Sequence, residues 1–150
     1  MQAILLVGGQ GLRLRSVVQD LPKPMAPVCG RPFIEHVMDY AMRYGIRRFI
    51  LSSGYKHEAF SHHFGSHYKE AEMEYAVEKE PLGTGGGLLN AVQGIQGHDD
   101  FWVFNGDTFF EVDLKELQER HRNQQADCTI ALYEISGPSR YGGLDIDEKK

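Results

Sequence analysis

Short apolar runs alternate with stretches of helical periodicity along most of this 150-residue chain. The first run, Ala3–Val7, is apolar at every position, which is typical of a strand buried on both faces of a parallel sheet. A helix is predicted from Pro32 to Gly45, because apolar residues recur there at helical spacing. Further strands are predicted at Phe49–Leu51, Met73–Val77, Phe101–Phe104 (a buried strand) and Cys128–Tyr133. Further helices are predicted at Glu58–Phe64, after Thr84 with Thr84 as the N-cap, and at Leu114–Asn123 with Asp113 as the N-cap. This alternation predicts an α/β fold with a mainly parallel central sheet flanked by helices.

The length of the chain fits one domain rather than several. No apolar run approaches the ~20 residues that span a bilayer, and the first residues lack the basic start and cleavage site of a signal peptide, so no membrane contact is expected. The two cysteines, Cys29 and Cys128, have no metal-ligand spacing and indicate no disulfide framework, which favours a reducing cytoplasm. The net charge of -5 argues against a protein that binds nucleic acid through general charge attraction.

The last ten residues, YGGLDIDEKK, consist of a turn, a short alternating strand with Leu144 and Ile146, and a polar turn. A strand that leads into a turn without a following partner is typical of the first half of a hairpin. We therefore expect residues 1–150 to be the N-terminal part of a longer folding unit whose C-terminal portion is lacking.

Glycine is the residue in excess, at 17 positions, and seven glycines fall into two clusters: Gly8, Gly9, Gly11, Gly83, Gly85, Gly86 and Gly87. Both clusters follow predicted strands, and ligands of open α/β sheets bind beyond the carboxyl ends of the strands. Backbone amides of glycine approach phosphate oxygens without a Cβ in the way. The first cluster is neither a P-loop, which needs a Gly-Lys-Ser/Thr ending, nor a dinucleotide fingerprint, because Leu14 stands where a glycine is required. An ordinary strand-to-helix turn with solvated arginines is the alternative.

Three charged residues are candidates to act on a phosphate ligand. Arg13 follows the first glycine cluster and adds a forked, permanent positive charge. Lys23 lies between two prolines that restrict the backbone, so its side chain is positioned before a ligand arrives. The alternative for Lys23 is a stiff connector whose lysine faces water. Asp107 follows a predicted strand in the sequence NGD, where its carboxylate is suited to bind Mg²⁺. The alternative is an aspartate that only caps or stabilises a turn.

Four motifs in order carry a resemblance to a known family. The segment GGQGLRL (8–14) followed by PKP (22–24), and the later stretches EKEPLGTGGGLLNA (78–91), FNGDTFFEVDL (104–114) and RYGG (140–143), resemble the sugar-phosphate nucleotidyltransferases. The combination of PLGTGGG with NGDTFFEVDL most closely resembles the D-glycero-α-D-manno-heptose 1-phosphate guanylyltransferases. The match covers residues 1 to about 145. It implies a Rossmann-like fold of the nucleotide-diphospho-sugar transferase type, with residues 1–150 as a nucleotidyltransferase domain.

The resemblance implies an in-line attack by a sugar 1-phosphate oxygen on the α-phosphorus of a nucleoside triphosphate, with GTP and the heptose 1-phosphate favoured. Because no covalent enzyme intermediate is expected, the protein positions groups and neutralises charge. The residues assigned to the triphosphate and to catalysis are Gly8, Gly9, Gly11, Arg13, Lys23 and Asp107, the last as the Mg²⁺ ligand. Those assigned to the base and ribose are Glu80, Pro81, Gly83 and Thr84, with Glu80 as a candidate acceptor for guanine, and those assigned to the sugar are Tyr141 and Gly142.

Two departures from the family pattern leave alternatives open. Leu12 stands where the family usually has threonine or serine, and the family's second metal-binding aspartate is expected only after residue 150. The rival interpretations are a mannose- or N-acetylmuramate-1-phosphate nucleotidyltransferase and a non-catalytic nucleotide-binding module. The histidines at His57, His62, His63 and His67 form no accepted metal-ligand set and are expected to be solvated.

Overall fold

The structure is a computed structural model, and it describes residues 1–9, 21–97 and 100–134. The chain divides into two compact units, Met1–Glu111 and Val112–Lys150. Among the described residues, no helix is long and apolar enough to cross a membrane.

The first unit is built around a sheet that has five strands in the part of the chain described by the structure. In chain order the elements of this unit are β1 (Gln2–Leu6), a 3₁₀ helix (Lys23–Met25), β2 (Pro27–Val28), β3 (Arg31–Pro32), α1 (Phe33–Arg43), β4 (Arg48–Ser53), α2 (His57–Phe64), β5 (His67–Tyr68), β6 (Ala71–Val77), α3 (Gly83–Val92) and β7 (Trp102–Asn105). The strand order is β5-β6-β4-β1-β7, while β2 and β3 form a separate antiparallel ribbon. Strands β6, β4, β1 and β7 pair in parallel, and only the short β5 of this sheet is antiparallel to its neighbour. The predicted α/β fold with a mainly parallel sheet is confirmed.

The two central strands explain why the sequence contains unbroken apolar runs. Ala3 pairs with Phe49 and Ile4 pairs with Ile50, and all four residues are fully buried. Ile4 and Ile50 pack together with Ala91 of α3 in one cluster. Burial at successive positions means that both faces of β1 and β4 are covered, because neighbouring strand residues point to opposite faces.

Helix α1 forms where the apolar stripe predicts it. Ile34, Met38 and Ala41 are fully buried, so one face of the helix packs into the core. The helix begins directly after Pro32, and Gly45 follows it with a φ of +83°, a conformation that favours glycine. The sequence therefore predicts both ends of this helix correctly.

The second unit contains α4 (Leu114–Asn123), which matches its predicted bounds. The Asp113 carboxylate accepts hydrogen bonds from the backbone N–H groups of Lys115 at 2.9 Å and Glu116 at 3.2 Å. Asp113 is therefore the predicted N-cap, since these bonds satisfy donors that have no partner inside the helix.

The strand predicted at Cys128–Tyr133 is wrong. These residues form no strand in the described part of the chain, and Ile130 and Leu132 are 61% and 50% exposed. Alternating apolar residues favour a strand, but a strand also needs a neighbour that completes its backbone hydrogen bonds. No strand neighbour exists for this segment among the described residues of its unit.

Two further predictions need correction. Thr84 is not the N-cap of α3, because the helix begins at Gly83 and Leu82 occupies the cap position without a side-chain hydrogen bond. The strand predicted at Phe101–Phe104 forms one residue later, as β7, and is only partly buried, since Val103 is 42% exposed. Within the described sheet β7 is an outer strand that pairs with β1 on one side, which accounts for this exposure. The predicted terminal strand with Leu144 and Ile146 lies outside the described residues.

Candidate active site

A cleft of about 330 Å³ opens at the carboxyl edge of the sheet, within the first unit. Gly8 and Gly9, which follow β1, line the cleft together with Lys23 of the 3₁₀ helix. Asp107, which follows β7, also lines it. The loop before α3 and its first turn add Pro81, Gly83 and Thr84. Parallel strands end at the same edge of a sheet, which explains why segments far apart in sequence meet here. Both glycine clusters and the NGD sequence therefore reach one cleft, as the sequence predicts.

Lys23 and Asp107 face each other across the cleft. The Lys23 Nζ donates a hydrogen bond of 2.8 Å to the Asp107 Oδ2, although the two residues are 84 positions apart. Pro24 and Met25 are buried behind Lys23, so the 3₁₀ helix fixes the direction of the lysine. Each side chain is 39% exposed, and an ion pair this exposed contributes only roughly 0–1 kcal/mol to stability. Lys23 thus lies in the cleft and is paired with Asp107, and its role in catalysis stays a prediction.

Gly106 fixes the backbone from which Asp107 projects. Its N–H donates a 2.9 Å hydrogen bond to the carbonyl of Leu6, which ties the end of β7 to the end of β1. A Cβ at this position would lie 2.4 Å from Val7 Cγ1 and 3.2 Å from the Leu6 carbonyl oxygen. Only glycine fits at this contact without a shift of the strands. The glycine of the NGD sequence is thus explained by packing, and it places the Asp107 carboxylate beside the cleft.

The donor set around Asp107 suits an ion that is held mainly by its substrate. Among the described residues, no group of three or more His, Cys, Asp and Glu side chains is arranged to hold a metal. Mg²⁺ is commonly bound by one or two carboxylates together with substrate phosphates and water. Asp107 lies in the cleft without two further metal-ligating side chains grouped around it in the described chain, which fits that pattern and does not fit a dedicated protein cage. Of the four histidines, His63 contacts the Glu35 carboxylate through its Nε2 at 2.8 Å.

Glu78, which the sequence analysis did not select, lines the cleft, whereas the candidate Glu80 is exposed and does not. The Glu78 Oε2 accepts a 3.1 Å hydrogen bond from the Leu82 backbone N–H, and its Oε1 accepts one of 3.3 Å from Ser52 Oγ. A signal for Glu78 was present in the strand periodicity. Residues two apart share a face, and Ala76 of β6 packs against the core cluster that includes α3, so Glu78 continues that face.

Two of the clustered glycines leave room for this carboxylate. A Cβ on Gly8 would lie 3.0 Å from Glu78 Oε1, and a Cβ on Gly87 would lie 2.5 Å from the same atom. Gly9, in contrast, has no atom within 4 Å of such a Cβ. Gly8 and Gly87 therefore accommodate a protein side chain, whereas Gly9, Gly83 and Gly85 each have an open side.

Several predicted site residues lie outside the described part of the chain. These are Gly11, Arg13, Tyr141 and Gly142. The unusual Leu12 lies outside it as well. Their assigned roles stay predictions.

A charged network is centred on Asp39 of α1. Arg31 of β3 donates a 2.5 Å hydrogen bond to Asp39 of α1, and Asp39 also accepts hydrogen bonds from Lys69 and Tyr68. Partial burial opposes ionisation of Asp39, but hydrogen bonds from Lys69, Arg31 and Tyr68 outweigh it and hold the pKa of the carboxyl below its ordinary value. Burial, together with the bond to Asp39, raises the pKa of the Tyr68 hydroxyl. The network joins β3 to α1.

Comparison with known proteins identifies similar sequences and structures. The chain is 46% identical over 142 residues to the D-glycero-alpha-D-manno-heptose 1-phosphate guanylyltransferase of Aneurinibacillus thermoaerophilus, covering 95% of this chain and 61% of that protein. It is 40% identical to the protein of the same name from Campylobacter jejuni, covering 99% of this chain and 65% of that one. The crystal structure of HddC from Yersinia pseudotuberculosis complexed with GMP-PN is similar with a TM-score of 0.70 and 38% identity, over 80% of this chain and 53% of HddC.

The chain thus spans 61% and 65% of the length of these two curated relatives. The model of the nucleotidyl transferase family matches residues 2–150. The resemblance inferred from the four motifs is confirmed: the chain belongs to the nucleotidyl transferase family.

Proposed function

We propose that this protein transfers a guanylyl group from GTP to a sugar 1-phosphate and releases pyrophosphate. The observation that carries the proposal is the cleft in which Lys23, Asp107 and Glu78 meet beside two glycine loops. The similarity to heptose 1-phosphate guanylyltransferases, at 46% and 40% identity, supports D-glycero-α-D-manno-heptose 1-phosphate as the acceptor. The reaction consumes a nucleoside triphosphate, and we place it in the cytoplasm for that reason.

The chemistry needs positive charge and alignment rather than a covalent intermediate. An oxygen of the sugar 1-phosphate forms a bond to the α-phosphorus while the bond to the bridging oxygen of the β-phosphate breaks, and the electron pair leaves with pyrophosphate. Lys23 Nζ is fixed beside the cleft and is placed to neutralise charge on the reacting phosphates. Mg²⁺, when bound to the Asp107 carboxylate, supplies further positive charge to the phosphates. Gly8, Gly9, Gly11 and Arg13 are assigned to the triphosphate.

Glu78 replaces Glu80 as our candidate for recognition of the base. An ionised carboxylate accepts hydrogen bonds but donates none, and guanine presents two adjacent donors, its N1–H and its 2-amino group. Uracil presents one N–H between two carbonyl oxygens, and a carboxylate would repel the oxygens. Glu78 therefore favours GTP over UTP. Pro81, Gly83 and Thr84, which line the same cleft, are assigned to the base and ribose, and Tyr141 and Gly142 are assigned to the sugar.

The test is pyrophosphate release from four nucleoside triphosphates, each mixed with Mg²⁺ and a panel of sugar 1-phosphates that includes the heptose and mannose compounds. We expect release that requires GTP, Mg²⁺ and one sugar 1-phosphate together. Binding of GTP without release from any sugar would instead identify a non-catalytic nucleotide-binding module. The same assay on this chain joined to the C-terminal part of the Aneurinibacillus relative tests whether the portion that the relatives add is required.

A further inference from the structure

We propose that Ser52 is a positioning residue for base recognition: its hydroxyl fixes the Glu78 carboxylate in the orientation that binds the base. The inference rests on the proposed function, which assigns the base to Glu78. Ser52 lies near the end of β4, is 1% exposed, and lines the cleft. Its Oγ donates to Glu78 Oε1 at 3.3 Å. A buried hydroxyl that donates to a carboxylate in the cleft is suited to orient that carboxylate.

The two oxygens of Glu78 are held from two directions. Ser52 donates to Oε1, and the Leu82 backbone N–H donates to Oε2 at 3.1 Å. Two donors on two oxygens define the plane of the carboxylate, whereas one donor would leave it free to rotate. Each carboxylate oxygen accepts more than one hydrogen bond. One acceptor position on each oxygen therefore remains for the two adjacent donors of guanine.

Glycine backbones close the space around this pair on several sides. A Cβ on Gly87 would lie 2.5 Å from Glu78 Oε1 and 2.9 Å from Ser52 Oγ, so the hydroxyl and the carboxylate fill the space that the glycine leaves. A Cβ on Gly8 would lie 3.0 Å from Glu78 Oε1, and one on Gly54 would lie 3.5 Å from the Glu78 Cβ. The pair is thus enclosed by the ends of β1 and β4 and by α3. Within this space, the hydrogen bond from Ser52 holds Glu78 Oε1 in one orientation.

Ser53 provides a matched comparison in the same strand. It follows Ser52 directly, is fully buried, and points to the opposite face of the sheet because strand residues alternate. Its Oγ has no hydrogen-bond partner within the described chain. Ser53→Ala therefore removes the same buried group from the neighbouring position without changing the surroundings of Glu78.

The experiment measures the dissociation constants of GTP and UTP by calorimetry for the wild-type protein and four variants. Ser52→Ala is expected to weaken GTP binding about tenfold, which corresponds to the loss of one hydrogen bond to a charged group. The preference for GTP over UTP is expected to fall by the same factor. Ser52→Thr keeps the hydroxyl and is expected to bind GTP within about threefold of the wild type. Ser53→Ala is expected to bind GTP as the wild type does. If Ser52→Ala lowers the melting temperature, Ser52→Cys, which keeps the volume but donates weakly, supplies the measurement instead.

The inference and the proposed function fail in different ways. A wild-type protein that binds GTP no more tightly than UTP contradicts the assignment of Glu78 to guanine. A wild-type protein that prefers GTP while Ser52→Ala keeps the full preference contradicts only the role of Ser52. Equal losses in Ser52→Ala and Ser52→Thr, or an equal loss in Ser53→Ala, also contradict it, because a hydroxyl directed at Glu78 is then not the cause.

Discussion

The amino end of the sheet is closed by hydrogen bonds between protein groups, whereas its carboxyl end opens into the cleft of Lys23, Glu78 and Asp107. At the amino end, Arg48 is only 12% exposed, and its Nη1 donates to Gln2 Oε1 and to the Gly94 carbonyl, both at 2.9 Å. Gln2 and Gln96 exchange two further hydrogen bonds, of 2.7 and 3.1 Å. These bonds join β1 and β4 to the chain that leaves α3, and they stabilise the sheet.

At the carboxyl end the charged groups are held by the backbone rather than by burial. Pro24 and Met25 fix Lys23, and Gly106 fixes Asp107, but both charged side chains remain 39% exposed. Their mutual ion pair contributes little to stability for that reason. This difference indicates that the amino end stabilises the sheet and that the carboxyl end is available for ligand binding. Groups at the amino end have their partners in the protein, and groups at the carboxyl end are positioned and remain accessible to a ligand.

The largest effect that this comparison predicts is for Asp107→Asn. The change removes the carboxylate proposed to hold Mg²⁺ but keeps the shape of the side chain, so turnover should fall about 10³-fold. The melting temperature should change little, because the lost ion pair is exposed. Pyrophosphate release and thermal unfolding by circular dichroism measure the two quantities. Asp113→Asn, which keeps a good N-cap outside the cleft, is the control. Near-normal turnover of Asp107→Asn would remove Asp107 from the metal site.

Lys23→Ala is expected to have the next largest effect. Loss of the fixed ammonium should lower turnover about 10²-fold, since one charge at the reacting phosphates is removed. Stability should change by less than about 1 kcal/mol, as for an exposed ion pair. Lys115→Ala, on the exposed face of α4, is the control for loss of one positive charge. A large fall in melting temperature with turnover preserved would support the stiff-connector interpretation instead.

Arg48→Met tests the amino end of the sheet. The variant removes the donor of the Gly94 carbonyl, one of the two donors of Gln2 Oε1, and the ion pair with Glu74. It should lower the free energy of unfolding by about 2 kcal/mol. Urea unfolding measures this loss. The affinity for GTP, measured well below the melting temperature, should stay unchanged because Arg48 lies at the opposite end of the strands from the cleft. A loss of GTP affinity as large as the loss of stability would show that the two ends are not separable.

Most of the fold could be predicted from the sequence, because its signals are local. The apolar stripe of α1 and the Asp113 cap each act within a few residues, and both predictions are confirmed. Exposure of β7 could not be predicted in this way, since an apolar run does not reveal how many neighbours a strand has. The strand prediction for Cys128–Tyr133 was wrong for a similar reason, because a strand depends on a partner that lies elsewhere in the chain.

The site was predicted as a set of segments more successfully than as a set of side chains. The sequence identified Lys23 and Asp107 and the loop before α3, and all three reach the cleft. It selected Glu80 rather than Glu78, because the choice depends on where β6 ends and on which face its last residues point. The sequence does not indicate the positioning role proposed for Ser52, since a serine at the end of an apolar strand carries no motif. Its neighbours become visible only when β4, β6 and α3 are packed together.

Gly87→Ala is the smallest of these predicted effects and the sharpest test of the cleft. Alanine normally stabilises a helix relative to glycine by roughly 1 kcal/mol, so the substitution alone should not lower stability. The added Cβ would lie 2.5 Å from Glu78 Oε1 and 2.9 Å from Ser52 Oγ, so the carboxylate, at the end of a flexible side chain, would move away and its bond to Ser52 would be disturbed. GTP binding should therefore weaken about tenfold, as expected when a hydrogen bond to a charged group is lost, while the melting temperature holds or rises. Gly85→Ala in the same helix, where nothing lies within 4 Å of the new Cβ, should leave GTP binding unchanged. If both variants bind GTP equally well, the position of Glu78 does not control affinity, and the carboxyl end of the sheet owes its selectivity to other groups.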